Sequence, residues 1–133
     1  MSDTGKTMVG AIGWQDLTVK NAEQVRDFYV QVVGWRSAPE PMGDYEDFHM
    51  IAPGSGKSVA GVCHARGMNA DLPPQWLLYV FVEDIDRSVL KCLDLGGEVV
   101  TGPRTMGGGQ FAVIRDPAGA VLALFQQTPE KSQ

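Results

Sequence analysis

The chain has 133 residues, 44% of them apolar and 20% charged, with a formal net charge of −5. That length suits one domain burying roughly two-thirds of the surface its unfolded chain exposes, and the composition is too apolar for disorder. With no basic run beyond isolated Lys or Arg residues and no apolar run of membrane-spanning length, the sequence excludes a nucleic-acid footprint, a basic membrane anchor and a spanning helix.

In chain order, residues 1–8 are polar and lack an apolar h-region, so no signal peptide is expected. A strand follows over Ala11–Val19. Asn21 then suits a helix N-cap, with Gln24 three residues on as a variant capping box. Val25, Phe28, Tyr29, Val32 and Val33 fall on one helical stripe, and Gly34 stops the helix. Short strands come next, broken at Pro39–Met42 and Pro53–Gly56. Residues 66–74 carry Gly67, Asn69, Asp71, Pro73 and Pro74 and read as a linker.

The pattern then starts again. Trp76–Val82 is a strand rich in aromatic and β-branched residues, and Asp84 is an N-cap. Ile85, Ser88, Val89, Cys92 and Leu93 form the stripe of a helix that ends at Gly96–Gly97. Strands are expected over 98–101, 110–115 and 121–126, with breaks at Gly102-Pro103, Gly107–Gly109 and 116–119. The glycine run lacks the strand-to-helix setting of a phosphate loop and reads as a flexible turn or lid over a cup. The polar tail from Thr128 to Gln133 is expected to fray.

Shifting the chain by 63 positions superposes the two halves without a gap: Leu17 on Val80, Asn21 on Asp84, Gly34 on Gly97, Phe48 on Phe111 and Gly56 on Gly119. Cap, stop and apolar phase repeat together, which marks a duplicated unit. The expected fold is α+β: two tandem βαβββ modules, about residues 8–65 and 75–128, forming a curved, cup-shaped mixed sheet with helices outside and making one domain of 1–133. Cys63 and Cys92 sit in apolar stretches without a CxxC spacing, as reduced core thiols of a cytoplasmic protein would.

The strand ending Leu17-Thr18-Val19, the Phe28-Tyr29 helix closing on Val33-Gly34-Trp35, and the Arg115–Gly119 turn together resemble the vicinal oxygen chelate superfamily over about residues 9–127. That superfamily includes glyoxalase I, bleomycin resistance proteins and extradiol dioxygenases. The resemblance implies a cup that often holds a divalent metal, and frequent homodimers. Its metal ligands, usually His, Glu or Gln, carry over to Trp14, Ala60, Leu77 and Ala123. Ala, Leu and Trp offer no lone pair to a hard cation, so neither metal nor cofactor is expected at those positions.

Strand alternation sorts the remaining candidates. If Leu17, Val19, Val80 and Val82 pack under the helices, then Trp14, Asp16, Tyr79, Ala60, His64, Ala123 and Phe125 face the cup and are the candidate ligand-binding residues. Trp14 is a core filler or a stacking platform. Asp16 is a ligand contact or a carboxylate turned to solvent at a strand edge. His64 is a surface histidine or a base, and His49 is structural. Tyr79 places its hydroxyl on a ligand or within the protein, and Phe125 is wall.

Three functions fit. The first, preferred, is a metal-free small-molecule binding protein of the bleomycin resistance type, taking an antibiotic-like or aromatic metabolite. The second is a lyase, isomerase or dioxygenase relative that uses displaced metal ligands, or Asp16 or His64. The third is an accessory module with a vestigial cup. No nucleic-acid or membrane partner is expected.

Overall fold

The order βαβββ occurs twice in a computed structural model that describes residues 8–128. The polar segment before residue 8 and the tail after residue 128 lie outside the described residues. The strands are β1 (Ile12–Val19), β2 (Arg36–Pro41), β3 (Glu46–Ile51), β4 (Ser58–His64), β5 (Trp76–Phe81), β6 (Glu98–Met106), β7 (Gly109–Arg115) and β8 (Val121–Gln127). The helices are α1 (Ala22–Val33) and α2 (Ile85–Asp94), and a single 3₁₀ turn, Gly67–Asn69, interrupts the expected linker. The fold is α+β, as the period switching in the sequence requires.

The chain divides into two bodies, Trp14–Trp76 and the remainder, so the cut falls within β1. Ahead of it, Gly10 N donates to Phe81 O (2.8 Å) and Phe81 N donates to Ala11 O (2.9 Å), which ties the start of the chain to β5.

In the first body the strand order is β2-β3-β4-β1, with β1 parallel to β4 and the other neighbours antiparallel. β2 tolerates Pro39 and Pro41 because it lies at the end of this order, where a missing N–H breaks no ladder. Asn21 does not cap α1 with its side chain; it donates instead to Gln24 Oε1 at 2.8 Å. Gly34, at φ +86°, closes the helix in the left-handed conformation that glycine adopts without strain.

The core joins Ala22 of α1 to Phe48, Met50, Ala60 and Val62, and packs Val25, Tyr29 and Val30 over them. The helical stripe is therefore rotated from the sequence expectation. Val25 and Tyr29 face the sheet, whereas Phe28, Val32 and Val33 are more than half exposed. Tyr29 anchors an aromatic cluster with Trp35 and Trp76, at ring separations of 5.9 and 5.4 Å, and its hydroxyl accepts from Trp76 Nε1 at 3.2 Å.

The second body repeats the plan in the order β5-β8-β7-β6, with β5 parallel to β8. Asp84 caps α2, its carboxylate accepting from Arg87 N at 3.1 Å. Ile85 is fully buried with Ala112 and Leu124, and Val82, Val89, Ile114 and Leu122 pack around them. Leu93, placed on the buried stripe by the sequence, is 52% exposed. β6 does not stop at Gly102-Pro103 but runs on to Met106 through an irregular stretch of pairing. The glycine run is a tight hairpin rather than a long lid: Gly107 and Gly108 make the turn and Gly109 is buried at the start of β7.

The two modules are not gapless copies. Leu17 and Val80 stand 63 residues apart, but their parallel partners Val62 and Leu124 stand only 62 apart. The difference arises in the hairpin after β3. Met50 pairs with Ala60 across a bulge, and Ala52 closes the turn on Lys57; in the second module Ile114 pairs with Leu122, and Asp116 closes on Ala120. The hairpin gains one residue in the turn and one in the bulge, but β3 itself stands one residue early, since Phe48 pairs with Val62 where Ala112 pairs with Leu124. The net displacement of β4 from the repeat is one position. A one-residue slip exchanges the two faces of a strand.

Candidate functional site

That slip decides which side chains of the first module lie opposite α1. The expectation that Ala60 and His64 turn away from the helix does not hold. Ala60 (1% exposed) and Val62 (0%) belong to the core beneath α1. His64 also reaches α1, where its Nε2 lies 3.1 Å from Glu23 Oε2. The helix-free face is built instead from Asp16 and Gly61, which are register partners, and from Thr18 and Cys63, the next partners along.

Asp16 is only 7% exposed. Trp14 Nε1 donates to Asp16 Oδ1 at 2.6 Å, so the two candidates are joined and the indole is fixed in orientation. A Cβ on residue 61 would overlap that carboxylate, and only glycine leaves room for it. Asp16 therefore does not turn to solvent at a strand edge. Burial pushes the Cys63 thiol well above its ordinary 9.0, and the nearby Asp16 and Asp47 carboxylates add to the rise. A thiol held in that state is a packing group rather than a nucleophile.

On the helix side, the imidazole of His64 lies between two carboxylates. Asp47 Oδ1 accepts from His64 N at 2.9 Å and lies 3.2 Å from Nδ1, while Glu23 holds Nε2. The hydrogen bond to His64 keeps the Glu23 carboxyl below its ordinary 4.5. With both ring nitrogens engaged, His64 is a structural tie between β3, β4 and α1 rather than a free base. Beside it, a shallow depression of about 580 Å³ is lined by Glu23, Arg26, Tyr45 and Phe48 among others. The Arg26 guanidinium covers the Phe48 ring at 4.4 Å, and Arg66 covers Tyr45 at 3.9 Å. His49 Nε2 pairs with Glu40 Oε1 at 2.5 Å across β2 and β3.

In the second body Tyr79, Ala123 and Phe125 do share the face away from α2: Tyr79 pairs with Ala123, Phe81 with Phe125, and Val113 and Phe111 continue the row. Tyr79 (7% exposed), Phe111 (5%), Val113 and Ala123 (both 0%) are buried. The Phe81 and Phe125 rings meet edge to face at 5.8 Å.

The resemblance places the last-strand metal positions four residues after the turn glycines Gly56 and Gly119, and the structure amends one of them. Gly61, not Ala60, is the first-module residue equivalent to Ala123. The amended set of Trp14, Gly61, Leu77 and Ala123 still contains no side chain able to ligate a divalent ion. Among the described residues, no three His, Cys, Asp or Glu side chains group as metal ligands. Asp47 and Glu23 cannot converge on one ion through His64, since they hold opposite nitrogens of its ring.

Asp47 and Gly61 escaped the sequence reading, which named Cys63 only as a core thiol. Their signal was the alternation of polar and small residues in Asp47-Phe48-His49-Met50 and in Ala60-Gly61-Val62-Cys63.

Similarity to known proteins agrees with this architecture. The chain is 29% identical over 119 residues to CFP32 of Mycobacterium tuberculosis, whose name groups it with the glyoxylases; the match covers 88% of this chain and 46% of that protein. It is 30% identical over 119 residues to the anthracycline biosynthesis protein DnrV of Streptomyces peucetius, covering 88% and 42%. The chain thus spans about half the length of the curated relatives it matches. Among solved structures, methylmalonyl-CoA epimerase from Mycobacterium tuberculosis has the same fold, with a TM-score of 0.56 at 17% identity over 92% of this chain and 91% of that one. Among the described residues, no helix is long and apolar enough to cross a membrane. The family model described as Glyoxalase/Bleomycin resistance protein/Dioxygenase superfamily matches residues 11–124, and the chain belongs to that superfamily.

Proposed function

We propose that this chain binds a small aromatic molecule, without a metal at the family's usual positions, on the helix-free face of its first module. The observation that carries the reading is the Asp16 carboxylate, buried and held by Trp14 Nε1 in a space that only Gly61 leaves open. A buried charge is costly and persists where it is hydrogen-bonded or meets a ligand. In this reading Asp16 is the polar anchor, and Trp14, its ring orientation already fixed, is the flat apolar surface. Tyr79, Ala123 and Phe125 form the aromatic and small-residue wall of the corresponding face in the second module.

The ligand class draws support from DnrV, whose name ties it to anthracycline biosynthesis. Anthracyclines are fused-ring aromatics, the shape an indole stacks against. Cys63 and Cys92 are both free thiols, which suits the reducing cytoplasm, and we place the protein there as a homodimer.

The test is a calorimetric titration of the protein with a soluble anthracycline, monitored in parallel by mass spectrometry of the ligand. Saturable binding is expected, weakened about tenfold or more by Asp16→Asn and by Trp14→Ala. A wild-type protein that fails to bind, or variants that bind equally well, would refute the assignment. An anthracycline recovered with altered mass would replace binding by catalysis.

A further inference from the structure

We infer that the outward ridge of α2 is the seam of a homodimer, packed antiparallel against the same ridge of a second copy of this chain. The inference rests on the dimer contained in the reading above and names its surface. Ile85 and Val89 turn α2 toward its sheet. On the opposite side Arg87, Leu90, Lys91 and Asp94 follow one another at i, i+3, i+4 and i+7, the spacing of a single helical face. With Leu93 they line a surface depression of about 610 Å³. Leu90 is 68% exposed and Leu93 52%. Leu90 is the apolar member of this ridge, on the solvent face of an otherwise amphipathic helix, and a second copy of the ridge would cover it.

The charges on the ridge say which partner. A two-fold axis crossing α2 between Leu90 and Lys91 reverses the helix onto itself. Leu90 then meets Leu90 of the partner subunit, and Arg87 at one end of the ridge faces the partner's Asp94 at the other. The symmetry makes the same pair twice, as an isologous interface requires. Asp94 and Lys91 join no ion pair among the described residues, and Arg87 holds Asp84 only loosely, at 3.7 Å with both side chains exposed. The two Lys91 side chains fall on one flank, where their stems carry the charges out into water. The exposed apolar residues of α1, Phe28, Val32 and Val33, have no such self-complementary charges around them.

One short helix gives a small seam, so dissociation on the order of 100 μM is expected. Sedimentation equilibrium of the full chain should show mass rising with concentration from 14.4 kDa toward twice that value. Leu90→Glu and Asp94→Arg should each weaken association about tenfold or more, and Arg87→Asp combined with Asp94→Arg should restore it. Anthracycline affinity should be unchanged, because α2 is not part of that face. A chain that stays monomeric to roughly 1 mM refutes both the seam and the homodimer. A dimer unmoved by all three variants refutes the seam and leaves the homodimer standing.

Discussion

Asp16 and Gly61 are partners across the parallel β1–β4 ladder, and the carboxylate of the first fills the space that a side chain on the second would need. The pair exists because the hairpin after β3 is two residues longer than its counterpart after β7, which turns Gly61 to the helix-free face and Ala60 to the core. Trp14 then fixes the carboxylate through a 2.6 Å hydrogen bond. A conformationally costly glycine in a strand interior is accounted for by the polar group that it admits.

Gly61→Ala follows from that packing. The new methyl overlaps Asp16, and Asp16 cannot swing aside without breaking its bond to the Trp14 indole. Overpacking of this kind costs about 1–3 kcal/mol. Urea unfolding should show the loss as a lower midpoint at unchanged slope, and anthracycline binding should weaken with it. A variant as stable as the wild type would mean that the carboxylate is not confined there.

Asp47 is the next test, because one oxygen serves two donors. Its Oδ1 accepts from the His64 main-chain N–H and lies against Nδ1 of the same residue. Asp47→Ala leaves that N–H without an acceptor in a part-buried setting, at about 1–3 kcal/mol. His64→Gln, which leaves the Asp47 bond to the main chain intact, should cost less. The ranking of the two unfolding free energies checks the point, and the reverse order would show that the imidazole, not the main chain, is what Asp47 supports.

How far the sequence could be read depended on which faces of a strand are buried. The βαβββ order, both helices and the turn glycines were legible, because caps, stops and apolar period agree in Asp84, Gly34 and the Asp116 turn. Side-chain facing in the last two strands was not. Phe111, Ala112 and Val113 are all buried, so the second module gives no alternation from which to set a phase. The first module does alternate, with Asp47, His49, Gly61 and Cys63 between apolar neighbours, but the gapless superposition carried the wrong phase onto it. That one slip put Ala60 and His64 on the helix-free face and concealed Gly61. Asp16 and Trp14 were placed correctly opposite the helix because β1 lies before the extra residues.

The glycine hairpin separates two kinds of glycine. A Cβ on Gly109 would collide with the Gln126 main-chain carbonyl, which is fixed by the β7–β8 ladder and cannot move aside. A Cβ on Gly108 meets nothing within 4 Å. Gly109→Ala should therefore destabilise by roughly 2 kcal/mol or more, and Gly108→Ala by less than about 0.5 kcal/mol. Equal effects, read by thermal or urea unfolding, would mean that Gly109 belongs to the loop rather than to β7.

Cys63 yields a prediction in pH. In the unfolded chain its thiol ionises near its ordinary 9.0, whereas burial first, and then Asp16 and Asp47, hold it protonated to higher pH in the folded protein. Above pH 9 the unfolded state has released a proton that the native state keeps, so unfolding becomes easier as pH rises. This contribution is therefore intact below pH 9 and is lost progressively above it, at no more than about 1.4 kcal/mol per pH unit. Other groups titrate in the same range, so the measurement is a comparison: urea midpoints of wild type and Cys63→Ala at pH 8 and at pH 10.5. The variant should start lower because of its cavity and fall less steeply. Parallel declines would show that the native thiol ionises as freely as the unfolded one, and that the helix-free face around Asp16 is wetter than its packing implies.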